Sequence, residues 1–165
     1  SSPTWACAAR PAQLSMISPG VVAPDFALPD QDEHEVRLSD FAGSKLVLAF
    51  YPGDFSRVCT DQLSVYQEVL PEIEAQGAKL VGISVDSHHV HRAFREQLGL
   101  TMPLLADFHP KGEVTRSYGA YIEERGHGNR SLVLVGPDGR VAWVHEAPTP
   151  LEIPGANLIF DALAA

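Results

Sequence analysis

The hydrophobic positions of the chain follow two patterns in alternation, one typical of buried strands and one typical of helices. Continuous apolar runs at Lys45–Phe50 and Ala78–Val85 have the length of buried strands. The apolar residues between these runs recur every three or four positions, as on one face of a helix: Leu63, Tyr66, Leu70 and Ile73. Pro71 lies within this helical pattern, and we expect it to kink or restart the helix.

The second half of the chain continues the alternation. A helix capped by Asp86-Ser87 is predicted to run through Leu98 and to end at a glycine. Two short apolar runs, Ser131–Val135 and Arg140–Val144, flank a Gly-Pro-Asp-Gly turn and predict a hairpin. A closing helix is predicted over residues 151–165. The pattern indicates an α/β fold with a mixed sheet in a single domain.

A cysteine follows the first buried strand. Pro52-Gly53-Asp54 punctuates the chain after Phe50, and the helical pattern then begins, so Cys59 is predicted in a first helical turn. There, unpaired backbone N–H groups and the helix dipole favour a thiolate, which is the nucleophilic form. The alternative is that Cys59 is a small buried apolar residue, which is the commoner fate of a free cysteine.

Composition narrows the range of functions. The 165 residues are 45% hydrophobic and 20% charged, which is ordinary for one soluble globular domain. With 21 acidic against 12 basic residues the formal charge is −9, which disfavours nucleic acid and anionic membranes as partners. No apolar stretch approaches the length of a membrane span.

The first sixteen residues differ in composition from the rest, with an alanine-rich stretch. They form an N-terminal extension of uncertain status, before a domain predicted over 17–165. The extension contains Cys7 but lacks the basic start and apolar core of a secretory signal. Two cysteines do not form a disulfide scaffold, so they point to thiol chemistry in a reducing compartment, which we expect to be the cytoplasm.

The residues around the cysteine stand as Pro52-x-x-x-Ser56-x-x-Cys59. This spacing resembles the Pro-x-x-x-Thr/Ser-x-x-Cys motif of the peroxiredoxins, here in its serine form. Four further segments are similar to sequences of that family: Val22–Leu28, Leu38–Gly43, Val81–Ser87 and Leu105–Asp107. The resemblance extends from about Pro19 to Phe160. It implies a thioredoxin-like fold with an inserted segment.

The resemblance also implies an activity, the reduction of hydrogen peroxide and organic hydroperoxides through a cysteine sulfenic acid. Cys59 would be the attacking thiolate, and Arg130, just before a predicted strand, would supply positive charge. Ser56 would contact the peroxide, a role compatible with capping the helix. Pro52 would shape the loop that shields the sulfur. No cofactor is implied.

The chain departs from the common family pattern in ways that concern the second half of the cycle. Many relatives carry a glutamate where this chain has Gln62, and one branch, the bacterioferritin-comigratory type, places a resolving cysteine where this chain has Ser64. Only Cys7 remains as an internal resolving thiol. We favour an external reductant instead: thioredoxin, mycoredoxin or a low-molecular-weight thiol. The chain then resembles the one-cysteine bacterial members of the alkyl hydroperoxide reductase E type, and a homodimer is expected by analogy.

The same residues bear on two alternative functions and on a possible metal site. A thiol–disulfide oxidoreductase would need a Cys-x-x-Cys pair, but Cys59 is followed by Thr60, Asp61 and Gln62. A redox-sensitive holdase or interaction protein on the same fold stays open. Three clustered histidines in the helix over 86–98, namely His88, His89 and His91, suggest a metal site, but no nearby carboxylate or cysteine completes one. We interpret them as part of a polar helix face and predict no metal.

Overall fold

A computed structural model of the protein describes residues 15–165. Its strands are β1 (Ala27–Pro29), β2 (Glu35–Arg37), β3 (Lys45–Phe50), β4 (Ala78–Ser84), β5 (Leu104–Ala106), β6 (Tyr121–Ile122), β7 (His127–Gly128), β8 (Ser131–Val135) and β9 (Val141–Glu146). Its helices are α1 (Arg57–Ala75), α2 (His88–Leu98), α3 (Glu113–Ser117) and α4 (Ala156–Ala164), and a short 3-10 helix covers Leu38–Phe41.

The central sheet has five strands in the order β5-β4-β3-β8-β9. Strands β3, β4 and β5 run parallel, whereas β8 runs antiparallel to β3 and β9 antiparallel to β8. Two small antiparallel pairs, β1-β2 and β6-β7, lie outside this sheet. The predicted α/β fold with a mixed sheet is confirmed.

Both faces of the central sheet are buried, and the side chains of β3 divide between them. Leu46, Leu48 and Phe50 join the apolar cluster on one face. Val47 and Ala49 join the cluster on the opposite face, which also contains Cys59. This division follows from the period of two along a strand, and it explains why β3 is a continuous apolar run in the sequence.

The predicted helix boundaries are partly wrong. Helix α1 continues through Pro71 without a restart. The proline is exposed, so the carbonyl that it leaves without a partner can bond to water. The closing helix begins at Ala156, not at residue 151, because Pro154 and Gly155 precede it and the Pro154 carbonyl is engaged by a side chain of α1.

The strand register determines which candidate functional residues lie at the same end of the sheet. In the β3–β8 pair, Phe50 is opposite Ser131. Arg130 precedes β8 and Tyr51 follows β3, so the antiparallel register puts both at the same end of the sheet. Helix α1 starts a few residues after Tyr51, and its first turn therefore lies at that end too. None of the described helices is both long enough and apolar enough to span a bilayer.

Candidate active site

Cys59 is the third residue of α1, as the sequence predicts. Ser56 caps this helix in an extended conformation, and its Oγ accepts a hydrogen bond of 3.3 Å from the backbone N–H of Cys59. The cysteine side chain has 0% exposure and packs within the apolar cluster of one sheet face. Serine therefore does occupy the helix cap, and its hydroxyl lies one turn from the sulfur.

Arg130 lies against Cys59 and is only 2% exposed. Its Nη1 donates to the Cys59 Sγ at 3.3 Å and to the Gln62 Oε1 at 2.5 Å, while its Nε donates to the Pro150 carbonyl at 2.8 Å. These acceptors include no carboxylate, and no ion pair joins Arg130 to a carboxylate elsewhere in the described chain. Because a buried cation is costly without an anionic partner, a thiolate at Cys59 would be its natural counter-charge.

Gln62 is fixed from both ends of its amide. Besides accepting from Arg130, it donates through Nε2 to the Tyr66 hydroxyl at 3.0 Å, and Tyr66 donates in turn to the Pro154 carbonyl at 2.7 Å. Gln62 therefore forms hydrogen bonds through both its amide oxygen and its amide nitrogen. Burial raises the pKa of Tyr66 to about 12, against smaller lowering effects of the Gln62 hydrogen bond and the Arg130 charge.

Pro52 and Ser56 line a surface pocket of about 200 Å³ that Arg130 also lines. Its rim carries three further side chains that bear or can bear positive charge: Arg57, Arg125 and His127. Apolar surface from Val58, Pro150 and Leu151 completes the lining. In a chain with a formal charge of −9, this is a local concentration of positive charge at the mouth of the site.

The structure contains a buried polar network that the sequence did not predict. The Asp54 carboxylate accepts from the Tyr51 hydroxyl at 2.5 Å and lies 2.6 Å from His91 Nδ1, with both Asp54 and His91 side chains fully buried. The Asp54 backbone N–H donates to Asp86 Oδ2 at 2.8 Å, and Ser84 Oγ donates to the same oxygen at 2.6 Å. Burial raises the pKa of Tyr51 well above its usual value, with further raising by the neighbouring Asp54 charge.

The interpretation of the histidines as a polar helix face is wrong for His91. Helix α2 turns His91 inward, whereas His88 remains partly exposed beside Glu33. The ligand atoms of Asp54, Asp86 and His91 all lie within 4.8 Å of one another, so carboxylates do approach this histidine. Their oxygens and nitrogens are already engaged in the hydrogen bonds described above, which a metal ion would have to replace.

Spacing alone could not reveal this network. Asp54 and His91 are 37 positions apart, and they meet because β3 and β4 are parallel neighbours. The chain segments that follow the two strands therefore emerge at the same edge of the sheet. A usable signal was the histidine at position 91, four residues after the cap at Ser87 and three before the buried Phe94, which places it on the apolar side of α2.

Cys7 lies outside the described residues. The described chain begins close to the site, because Met16 Sδ accepts from Asn129 Nδ2 at 3.6 Å and Asn129 immediately precedes Arg130. The backbone N–H of Ile17 donates to the Tyr118 carbonyl at 3.1 Å. The described part of the N-terminal segment is thereby attached beside the residues that neighbour Arg130.

Comparison with known proteins identifies the family. Residues 19–144 match the model of the AhpC/TSA family. The chain is 36% identical over 151 residues to the alkyl hydroperoxide reductase E of Mycobacterium tuberculosis, an alignment that covers 91% of this chain and 98% of the relative. The chain belongs to the AhpC/TSA family and is a peroxiredoxin.

Solved structures agree with this assignment. The crystal structure of peroxidoxin BcpB from Mycobacterium tuberculosis superposes with a TM-score of 0.76 at 26% identity, covering 90% of this chain and 95% of that one. The structure of Enterococcus faecalis AhpC gives a TM-score of 0.78 at 28% identity, covering 86% and 87%. The expected thioredoxin-like fold of the peroxiredoxins is confirmed. The protein is a thiol-dependent peroxidase, an oxidoreductase, and the disulfide oxidoreductase and holdase alternatives are not favoured.

Proposed function

We propose that the protein reduces hydrogen peroxide and organic hydroperoxides, with Cys59 as the attacking thiolate and Arg130 as the cation that stabilises it. The observation that carries the proposal is the 3.3 Å contact between Arg130 Nη1 and Cys59 Sγ inside a buried site. A guanidinium keeps its charge at any physiological pH and can donate to sulfur and to a substrate oxygen together.

The reaction forms one bond and breaks one. The Cys59 thiolate attacks the nearer oxygen of the peroxide and forms an S–O bond while the O–O bond breaks. The electron pair of that bond leaves with the far oxygen, which takes a proton and departs as water or an alcohol, and Cys59 becomes a sulfenic acid. Arg130 stabilises the negative charge as it moves from sulfur to the leaving oxygen.

Ser56 and Pro52 shape the approach of the peroxide. Ser56 Oγ accepts from the Cys59 backbone, so its own proton is free to be donated to a peroxide oxygen at the pocket of which it forms part. Pro52 lines the same pocket and has no N–H that could bind a competing group. Both residues therefore help to select a small peroxide over water and bulkier reactants.

The sulfenic acid is returned to the thiol by an external reductant, which is a thioredoxin, a mycoredoxin or a low-molecular-weight thiol. Within the chain, only Cys7 could replace it. Seven residues separate Cys7 from Ser15, and a fully extended segment of that length reaches about 25 Å. Since Met16 is attached next to Arg130, a segment of this length is long enough for Cys7 to reach the site. Intact mass spectrometry after one equivalent of peroxide separates the two routes, because only Cys7 gives a loss of two hydrogens.

The functional unit is a homodimer of a domain spanning residues 17–165, preceded by the extension of residues 1–16. Exposed apolar side chains near the pocket, Phe55 and Leu151, support self-association. The acidic chain is suited to the cytoplasm, where reducing conditions keep its thiols free. The formal charge of −9 disfavours nucleic acids and anionic membranes as partners.

A turnover assay tests the proposed function. The purified reduced protein is mixed with hydrogen peroxide and excess dithiothreitol, and peroxide consumption is followed with the Cys59→Ser variant as the control. Consumption by the wild type and its abolition in Cys59→Ser are expected. Equal consumption by both proteins would refute the role of Cys59.

A further inference from the structure

The Asp54 side chain joins three parts of the fold beneath the loop that leads to Cys59. Its Oδ1 accepts from Tyr51 at the end of β3, and its Oδ2 contacts His91 Nδ1 on α2 at 2.6 Å. The other ring nitrogen, His91 Nε2, lies 3.1 Å from the Leu105 carbonyl on β5. The loop is therefore tied through one carboxylate to the helix and the edge strand.

The chemistry of these contacts fixes the number of protons in the pair. A backbone carbonyl only accepts, so His91 Nε2 must carry a proton. A second proton must lie between His91 Nδ1 and Asp54 Oδ2, because without it two lone pairs would face each other at 2.6 Å. Whichever atom holds this proton, the pair is neutral overall. Removing the proton would leave the Asp54 oxygen and the His91 nitrogen with facing lone pairs, which repel each other in a fully buried place.

The loop tied by this pair is strained at Phe55 and ends at Ser56, the cap of the helix that carries Cys59. Phe55, the residue after Asp54, has a φ of 66°, a left-handed conformation that is unfavourable for a residue with a bulky side chain. Ser56 follows, and its hydroxyl binds the Cys59 backbone. The hydrogen bonds of Asp54 hold the strained conformation and, through it, the helix cap under the sulfur.

We propose that Asp54 and His91 form a proton-dependent clamp that holds the Pro52–Ser56 loop, so that the shared proton keeps Cys59 positioned for attack and buried from larger reagents. The clamp deepens the peroxidase function proposed above and rests on it for its link to turnover. Asp54 and His91 are positioning residues, since neither contacts the sulfur.

The titratable groups around Asp54 and His91 form hydrogen bonds and ion pairs of their own and do not compete for the proton that the pair shares. Tyr51 donates to Asp54 and stays protonated, and Asp86 accepts from the Asp54 backbone and from Ser84. Four charged groups on the neighbouring elements have partners of their own: His88 with Glu33, Arg92 with Asp32, Arg95 with the carbonyls of Thr101 and Met102, and Asp107 with Val114 and Thr115. The side chains of His89 and Glu96 on α2 and of Lys79 on β4 are exposed and face away from the pair.

Two variants distinguish the effect of the shared proton from the effect of the contact between the two side chains. Asp54→Asn preserves shape, and its amide can donate to a neutral His91 and accept from Tyr51, which gives a clamp that needs no shared proton. His91→Gln removes the ring that reaches both Asp54 and Leu105. His89→Gln, on the exposed side of the same helix, is the matched control.

Each protein is followed in two reactions at a series of pH values from about 6 to about 9.5. The first is the rate of Cys59 oxidation by hydrogen peroxide, and the second is the rate of Cys59 alkylation by iodoacetamide, each read by mass spectrometry. Alkylation needs no peroxidase activity, so it reports on the clamp even if the proposed function fails.

For His91→Gln we expect oxidation to fall and alkylation to rise, each about tenfold, the effect of losing one hydrogen bond of ordinary strength. In the wild type the ratio of oxidation to alkylation should fall towards high pH, and in Asp54→Asn it should fall less. His89→Gln should follow the wild type. Unchanged rates in His91→Gln, or the same pH dependence in Asp54→Asn as in the wild type, would overturn the proposal. Circular dichroism confirms that each variant is folded, and Asp54→Asn decides the question if His91→Gln is not.

Discussion

Arg130 and Cys59 are connected through one guanidinium nitrogen, whose two protons point to the sulfur at 3.3 Å and to the Gln62 amide oxygen at 2.5 Å. The other described contact of the guanidinium is the bond from Nε to the Pro150 carbonyl. The arginine is thus held on two sides by neutral acceptors, and the side facing Cys59 is where its charge is not balanced by the protein. This arrangement makes the sulfur the place where a negative charge is most favoured.

Replacing Arg130 should slow the oxidation of Cys59 strongly. For Arg130→Ala we expect a loss of about 100-fold or more in the rate constant with hydrogen peroxide, the usual effect of removing a donor to developing charge. Arg130→Lys should lose less, because it keeps the charge but cannot form all three contacts. Stopped-flow or quenched mass spectrometry measures both. A rate for Arg130→Ala within about threefold of the wild type would contradict the assigned role.

Gln62 should matter for both stability and rate. Gln62→Leu leaves Arg130 without one acceptor and removes the donor to Tyr66, so the free energy of unfolding should drop by about 1 to 3 kcal/mol. The peroxide rate should fall as well, since Arg130 loses its orientation. Gln62→Glu keeps an acceptor for Arg130, loses the donor to Tyr66 and adds a negative charge beside the guanidinium, so it tests whether Arg130 needs an acceptor at this position or specifically a neutral one. Urea unfolding and the peroxide rate are measured on all three proteins, and equal stability of Gln62→Leu and the wild type would show that the amide bridge has no structural role.

Ser56 should be replaceable by threonine but not by alanine. Ser56→Ala removes the helix cap, which should cost about 1 kcal/mol of stability, and it removes the hydroxyl at the pocket. Ser56→Thr keeps both and serves as the control. We expect the peroxide rate of Ser56→Ala to fall by more than its stability loss explains, measured under conditions where each variant is fully folded. If Ser56→Ala loses stability alone, the serine is a cap and has no part in the reaction.

The buried tyrosines should make the protein sensitive to alkaline pH. Burial raises the pKa of Tyr66 to about 12, and that of Tyr51 and Tyr118 is raised too. A raised folded-state pKa means that the stability from the neutral phenol is complete below the unfolded value of about 10 and is lost as pH rises towards the folded value. The Tyr66 contribution to this loss is up to about 3 kcal/mol.

Urea unfolding between about pH 9 and about pH 12 checks this expectation, with tyrosine ionisation followed by ultraviolet absorbance. The free energy of unfolding of Tyr66→Phe should decline less steeply than that of the wild type. Tyr121→Phe, at a partly exposed position, controls for the loss of one phenol. Identical slopes in Tyr66→Phe and the wild type would show that Tyr66 ionises without unfolding.

Local sequence was sufficient for the parts of the molecule that depend on neighbours in the chain. The strand Lys45–Phe50, the helix His88–Leu98 ended by Gly99, and the Ser56 cap before Cys59 all follow from apolar periodicity and capping chemistry. The approach of Arg130 to Cys59 was expected only by resemblance to a family, since no local pattern connects residues 71 positions apart.

The clamp of Asp54 and His91 was not predicted, because it depends on the register of strands and not on the residues beside either partner. The acidic residue appeared to be part of a turn and the histidine part of a polar helix face. Only parallel pairing of β3 with β4 brings the ends of the two segments together. The start of α4 was missed for a related reason: residues 150–155 supply carbonyls to the site, at Pro150 and Pro154, in place of a helical turn.

The most direct measurement exposes the reduced protein to one equivalent of hydrogen peroxide in the presence of a sulfenic-acid trapping reagent and maps Cys59 and Cys7 by non-reducing mass spectrometry. The predicted result is the trapped adduct on Cys59. A smaller amount of this adduct is expected in Arg130→Ala, and none when Cys59 is replaced by serine. A Cys7–Cys59 disulfide would be consistent with peroxidase activity and would show that Cys7, in the N-terminal segment, resolves the sulfenic acid. An unmodified Cys59 in folded wild-type protein would contradict the assignment of Cys59 as the peroxide-reducing thiolate.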